Sequence, residues 1–114
     1  MLYRSNKIFV EDSPIHGKGV FCSELIKAGE VLEECHYILC DGGYNYPQIL
    51  NDHFFSWPKG GDNFAICLGY GSIFNHSEND YNADWQTDTQ KNKFIFYALR
   101  DILPGEEIFT NYQK

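Results

Sequence analysis

GYGSIFNHS, residues 69–77, places Asn75 and His76 directly after an apolar step and two glycines. Within it GSIFNHS, residues 71–77, is too short for more than one turn and Ser72 is placed to cap it, so a single helical or 3₁₀ turn is predicted there. Asn offers both donors and acceptors, while His can donate from one ring nitrogen and accept at the other. Such a pair either reads a polar ligand edge or stitches loops together as a buried, satisfied couple. No second His or Cys stands near enough in sequence to suggest a metal.

The surrounding chain reads as mainly β. Segments rich in Phe, Tyr, Ile and Val are separated by the turn signals KAGE, DGGYN, PKGGDN and LPGE. Strands are expected over Lys7–Glu11, Gly19–Ser23, Val31–Cys40, Phe64–Leu68, Ala83–Thr87, Lys93–Arg100 and Glu107–Thr110. Helices should be few and short. One is expected within Tyr46–Trp57, where Ile49, Leu50, His53 and Phe54 recur at three- and four-residue steps. The acidic stretch Ser77–Asp88 is expected to be a loop leading into an exposed strand.

A chain of 114 residues with 43% hydrophobic residues, nine Phe and eight Tyr can bury one core, so a single domain over residues 1–114 is expected. The formal net charge of −7 repels phosphate backbones and attracts cationic partners, which disfavours direct nucleic-acid binding and favours a basic peptide. Solubility alone also accounts for such acidity. Cys22, Cys35, Cys40 and Cys67 form no C-x-x-C pair. They read as free thiols of a reducing compartment, with disulfides the alternative for an even count. With no leader-like start and no long apolar run, neither secretion nor a membrane span is expected. An intracellular protein is expected, cytoplasm and nucleus not being distinguished.

Two further motifs flank the first. SPIHGKGVF, Ser13–Phe21, brackets Lys18 between Gly17 and Gly19 just before a strand, where glycine permits positive φ and close approach of a ligand to the main chain. It fits neither a dinucleotide fingerprint nor a P-loop. LPGEEIFTNY, Leu103–Tyr112, makes a turn at Pro104 and Gly105, then a strand that delivers Tyr112. A thiol enzyme built from Cys67 and His76 would need an activated sulfur, and no neighbouring residue type signals one.

In this order the three motifs resemble the SET domain of protein lysine methyltransferases. HGKGVF is similar to that family's first G-x-G segment, IFNHS to its central N-H-S, and LRDILPGEEIFTNY to its closing G-E-E motif ending in Tyr. Glu24–Glu34 resembles the turn and strand after the first motif, and the size is similar to the minimal viral forms. The resemblance implies a SET-domain fold of small β-sheets in which a C-terminal segment threads, knot-like, under a loop formed by the central motif.

It also implies S-adenosylmethionine as methyl donor and the ε-amine of a lysine in a basic protein or peptide, such as a histone tail, as acceptor. His16, Gly17, Lys18, Gly19, Asn75, His76 and Tyr112 would hold the cofactor, with Tyr112 the catalytic residue. Tyr70, Phe74, Tyr97 and Phe109 line the lysine channel or, more simply, the core. His53 and Phe54 border the peptide groove, and Glu78, Asp80, Asp84 and Asp88 are candidates to receive basic flanks.

Several departures from the family pattern carry their own expectations. Glu78 stands where many members have Cys, and no cysteine-rich tail follows Tyr112, so no metal is expected. The walls that such a tail supplies must then come from elsewhere, for which the viral resemblance implies a second subunit and so a homodimer. Tyr81 precedes Asn82 in an altered, longer loop, and Thr110 sits two before the tyrosine, where an aromatic often governs the number of methyl groups. The alternative reading is a catalytically inactive SET-like module that binds basic peptides.

Overall fold

The structure, a computed structural model, describes residues 2–15, 17–40 and 53–112. Its strands form three small sheets. The first has the order β1 (Ile8–Asp12), β2 (Lys18–Cys22), β10 (Glu107–Thr110) and β7 (Asn75–His76). In the second, β3 (Val31–Cys35), β9 (Lys93–Ala98) and β8 (Ala83–Asp88) lie side by side. The third consists of β4 (Tyr37–Cys40), β6 (Asn63–Cys67) and β5 (Phe55–Trp57). A 3₁₀ turn at Tyr70–Ser72 connects β6 to β7. Among the described residues no helix is long and apolar enough to cross a membrane.

Period-two alternation builds the core. Phe94, Phe96 and Ala98 point inward from β9, and Ala83 and Trp85 from β8. Phe55 packs edge-on to Trp85 at 4.9 Å and to Phe96 at 5.5 Å, joining the second and third sheets. Full burial of such a side chain contributes about 1.5–3 kcal/mol.

Four local expectations are corrected. The run Val31–Cys40 is two strands, because the chain breaks at His36 and β3 and β4 enter different sheets. Phe55–Trp57 is a strand and not the end of a helix: Phe55 and Trp57 both face inward while Ser56 does not, the alternation of a strand paired to β6. The rest of that expected helix, residues 46–52, lies outside the described residues. The turn comes earlier than the motif suggested, at Tyr70–Ser72, with Gly69 at its start and no side-chain cap; Ser72 Oγ instead donates to Gly69 O at 3.4 Å. The second half of the acidic stretch is not loop but β8 itself, and that strand is not exposed, since Ala83 and Trp85 are fully buried.

One irregularity interrupts the second sheet. The β3–β9 register shifts from Val31↔Tyr97 to Glu33↔Phe96, a β-bulge that leaves two consecutive residues, Leu32 and Glu33, both inside.

Candidate active site

The site forms where β10 enters the first sheet between β2, to which it is antiparallel, and β7, to which it is parallel. Parallel pairing sets Phe109 beside Asn75 and Thr110 beside His76. The loop after β7 clasps the strand from its other end: Ser77 N donates to Thr110 O at 3.0 Å, and Asn82 N to Phe109 O at 3.2 Å. Asn82 also donates from Nδ2 to Glu107 O at 2.9 Å and accepts from Phe109 N at 2.8 Å. Asn82 is therefore a main-chain surrogate that binds β10 where β7 ends.

Asn75 is buried, and its Nδ2 donates to Lys18 O at 3.2 Å and to Glu107 Oε2 at 2.6 Å. Those two bonds tie the central motif to the first and third. Gly17 has φ of +48° with open space around the position a Cβ would take, so conformation explains this glycine. Gly19 has a different cause: a Cβ there would stand 2.3 Å from Glu107 Oε2 and 3.0 Å from Asn75 Nδ2.

Tyr112 completes the group. Its backbone N–H donates to His76 Nδ1 at 3.1 Å, so in the neutral ring the proton sits on Nε2. The phenol is buried and donates to Phe74 O at 2.5 Å, with Gly71 O at 3.5 Å. Its ring stacks on Phe55 with centroids 4.1 Å apart and planes 18° from parallel. Burial pushes the Tyr112 hydroxyl well above the usual phenol range, so it stays a neutral donor.

Gly17, Lys18, Gly19, Asn75, His76 and Tyr112 thus come together, whereas His16 lies outside the described residues. Among the secondary candidates, His53 is adjacent: its Nδ1 lies 2.6 Å from Ser72 O, and its ring is 6.5 Å from that of Tyr112. Phe54 stacks on Phe64 at 5.9 Å. Phe74 is core, packed on Phe96 at 5.1 Å. Tyr70 lies under the Arg4 guanidinium at 3.9 Å, and the Tyr97 hydroxyl donates to Asp84 at 3.4 Å. Phe109 is half-buried beside Asn75.

Of the four acidic candidates, Asp84 is paired with Lys59 at 3.0 Å, and Asp88 accepts the backbone N–H of Gln90 and Lys91 at 3.1 and 3.0 Å. Both are engaged within the fold, while Glu78 and Asp80 are exposed. All four cysteines are free. Burial pushes the Cys67 thiol up, the opposite of what a nucleophile needs.

Two carboxylates carry no mark in the sequence. Glu107 is visible there only as one of two acids after a turn. Glu33, turned inward by the bulge, accepts Arg4 Nε at 2.5 Å, Cys35 Sγ at 2.7 Å, Gly71 N at 2.8 Å and Tyr70 N at 3.2 Å. It anchors the 3₁₀ turn that leads to the carbonyl holding Tyr112. Strand alternation alone gives no signal for it.

Comparison with known proteins agrees with this geometry. The SET domain matches residues 17–113. A histone-lysine N-methyltransferase of Schizosaccharomyces pombe, described as H3 lysine-37 specific, is 32% identical over 108 residues, covering 90% of this chain and 71% of that protein. The crystal structure of a candidate histone methyltransferase from Plasmodium falciparum superposes with a TM-score of 0.75 at 30% identity, covering 95% of this chain and 94% of that one. A Chaetomium thermophilum Polycomb Repressive Complex 2 chain, solved bound to S-adenosylmethionine, shares the fold with a TM-score of 0.72 at 21% identity, over 92% of this chain and 15% of its own. The chain belongs to the SET-domain family, as its match over residues 17–113 and its similarity to the Schizosaccharomyces pombe histone-lysine N-methyltransferase show.

Proposed function

We propose that the protein transfers a methyl group from S-adenosylmethionine to the ε-amine of a lysine in a basic protein segment, a histone tail being the first candidate. The observation that carries this reading is the convergence of three distant motifs: Asn75 Nδ2 on Lys18 O at 3.2 Å and Tyr112 N on His76 Nδ1 at 3.1 Å. The residues present suit the cofactor. Nothing among the described residues lies within 4 Å of the Cβ position at Gly17, leaving room beside the main chain there. When bound, S-adenosylmethionine supplies a sulfonium-activated methyl group.

The chain's own residues then have three tasks. Asn75, His76 and the Gly17–Gly19 main chain bind the donor. Tyr112, its ring backed by the buried Phe55 at 4.1 Å, walls the acceptor lysine and excludes water. A lysine amine with an ordinary pKa of ~10.4 is neutral in only about one molecule in a thousand near pH 7.4, a handicap of roughly 4 kcal/mol. Desolvation against that ring favours the neutral amine, so no protein base is required. Tyr112, neutral and fixed on Phe74 O, is too poor a base for that role and acts by orientation.

The test is methyl transfer from labelled cofactor to histone tails and to a whole lysate, with mass spectrometry of the product. Wild-type activity that Tyr112→Phe lowers by about 10²-fold supports the proposal. Sound cofactor binding with no substrate methylated overturns it. Peptide binding without cofactor affinity would instead establish a non-catalytic module.

A further inference from the structure

We propose that Glu107 is the positioning residue of the cofactor site: its carboxylate fixes the sense of the Asn75 side-chain amide and ties the first-motif loop to β10. This rests on the methyltransferase reading and assigns a task to a residue which that reading leaves unused.

The geometry is specific. Glu107 Oε2 accepts Asn75 Nδ2 at 2.6 Å, a charge-assisted bond, and Lys18 O accepts the same nitrogen at 3.2 Å. Two acceptors on one nitrogen decide which end of the amide is which: nitrogen toward Lys18 and Glu107, oxygen turned away from them. The other carboxylate oxygen, Oε1, accepts Ser13 Oγ at 2.7 Å, and Ser13 Oγ in turn accepts the N–H of Ile15 at 3.0 Å. One carboxylate therefore spans the loop before Gly17, the buried Asn75 and β10.

Gly19 fits the same account. The carboxylate occupies the volume that a Cβ at residue 19 would need, only 2.3 Å from Oε2. A side chain at the second glycine of G-K-G would push the Glu107 carboxylate off Asn75, and any ligand meets a site already shaped by Glu107. Removing the carboxylate removes the charge-assisted member of the pair that orients Asn75, so the loss should fall on cofactor affinity. Glutamine can still accept from Asn75 while donating to Ser13 Oγ, so it should largely rescue.

The experiment is a double-mutant cycle on S-adenosylmethionine affinity, by titration calorimetry, with Glu107→Ala, Glu107→Gln, Asn75→Ala and the Asn75→Ala, Glu107→Ala pair. Glu107→Ala should weaken binding about tenfold or more, Glu107→Gln about threefold at most, and the pair no more than Asn75→Ala alone. In steady-state kinetics the loss should appear in KM for the cofactor more than in kcat. Additive effects, or affinity within twofold of wild type in Glu107→Ala, would overturn the proposal.

A second measurement holds even where Glu107→Ala fails to fold. In the ligand-free wild type, the two Asn75 side-chain amide protons should exchange slowly with solvent by NMR. Fast exchange of both overturns the proposal. Because that signal is recorded without cofactor, failure of the wild type to bind S-adenosylmethionine is a separate result, which sinks the methyltransferase reading itself.

Discussion

The hydroxyl of Tyr112 donates to the carbonyl of Phe74 at 2.5 Å, so the candidate catalytic phenol is held by the residue immediately before Asn75. Orientation of the phenol and placement of the Asn75 amide are thus set by one stretch of backbone. Tyr112→Phe keeps the stack on Phe55 and loses only this bond. Activity should fall by about 10²-fold through misorientation, while cofactor affinity changes little. Kinetics and calorimetry on the same preparation check both.

Glu33 reaches the site only through the 3₁₀ turn. Glu33→Ala strips Tyr70 N and Gly71 N of their acceptor and should destabilise the fold by about 1–3 kcal/mol. Arg4→Ala keeps those two amide bonds but leaves the Glu33 carboxylate, only 2% exposed, without its counter-charge, and should destabilise by about 3 kcal/mol. Urea unfolding of the two variants gives the comparison.

Thr110 carries a fully buried hydroxyl that has no hydrogen-bond partner among the described residues. Thr110→Val keeps the shape and removes the unsatisfied group. Thermal unfolding should show it more stable by about 1 kcal/mol.

Lys93 Nζ lies 2.6 Å from Glu34 Oε2, and this bond holds the Glu34 carboxyl below its ordinary value of 4.5. A carboxylate depressed in the folded state stabilises above its unfolded pKa, and that stability is lost as pH falls through the folded one. Wild type should therefore lose stability as pH falls below the ordinary carboxyl value of 4.5, and Lys93→Met should flatten that limb. Denaturation midpoints across the range provide the check.

What the sequence made legible was what depends on local composition. Short aromatic strands between turn signals became β2, β6, β8, β9 and β10 with small errors at the ends, and Asn75, His76, Tyr112 and the two glycines met where their motifs implied. What it concealed depends on register and on partners distant along the chain. Nothing before the fold tells that Glu33 turns inward, since one extra residue in β3 inverts its facing. The break at His36 was hidden because β3 and β4 share one apolar run. Gly19 looked like a glycine cleared for a ligand, and only the position of Glu107, 88 residues later, shows what occupies that volume.

β10 is laid down between partners that precede it by long stretches of chain, β2 on one side and β7 on the other. Closing such distant pairings is entropically slow, so the last strand should dock late in assembly. A half-assembled chain would have sheets and much of its aromatic interior, yet no seat for a methyl donor. Competence should then appear in a single step with the last strand's arrival, and loosening that strand alone should silence the protein while most of its structure survives.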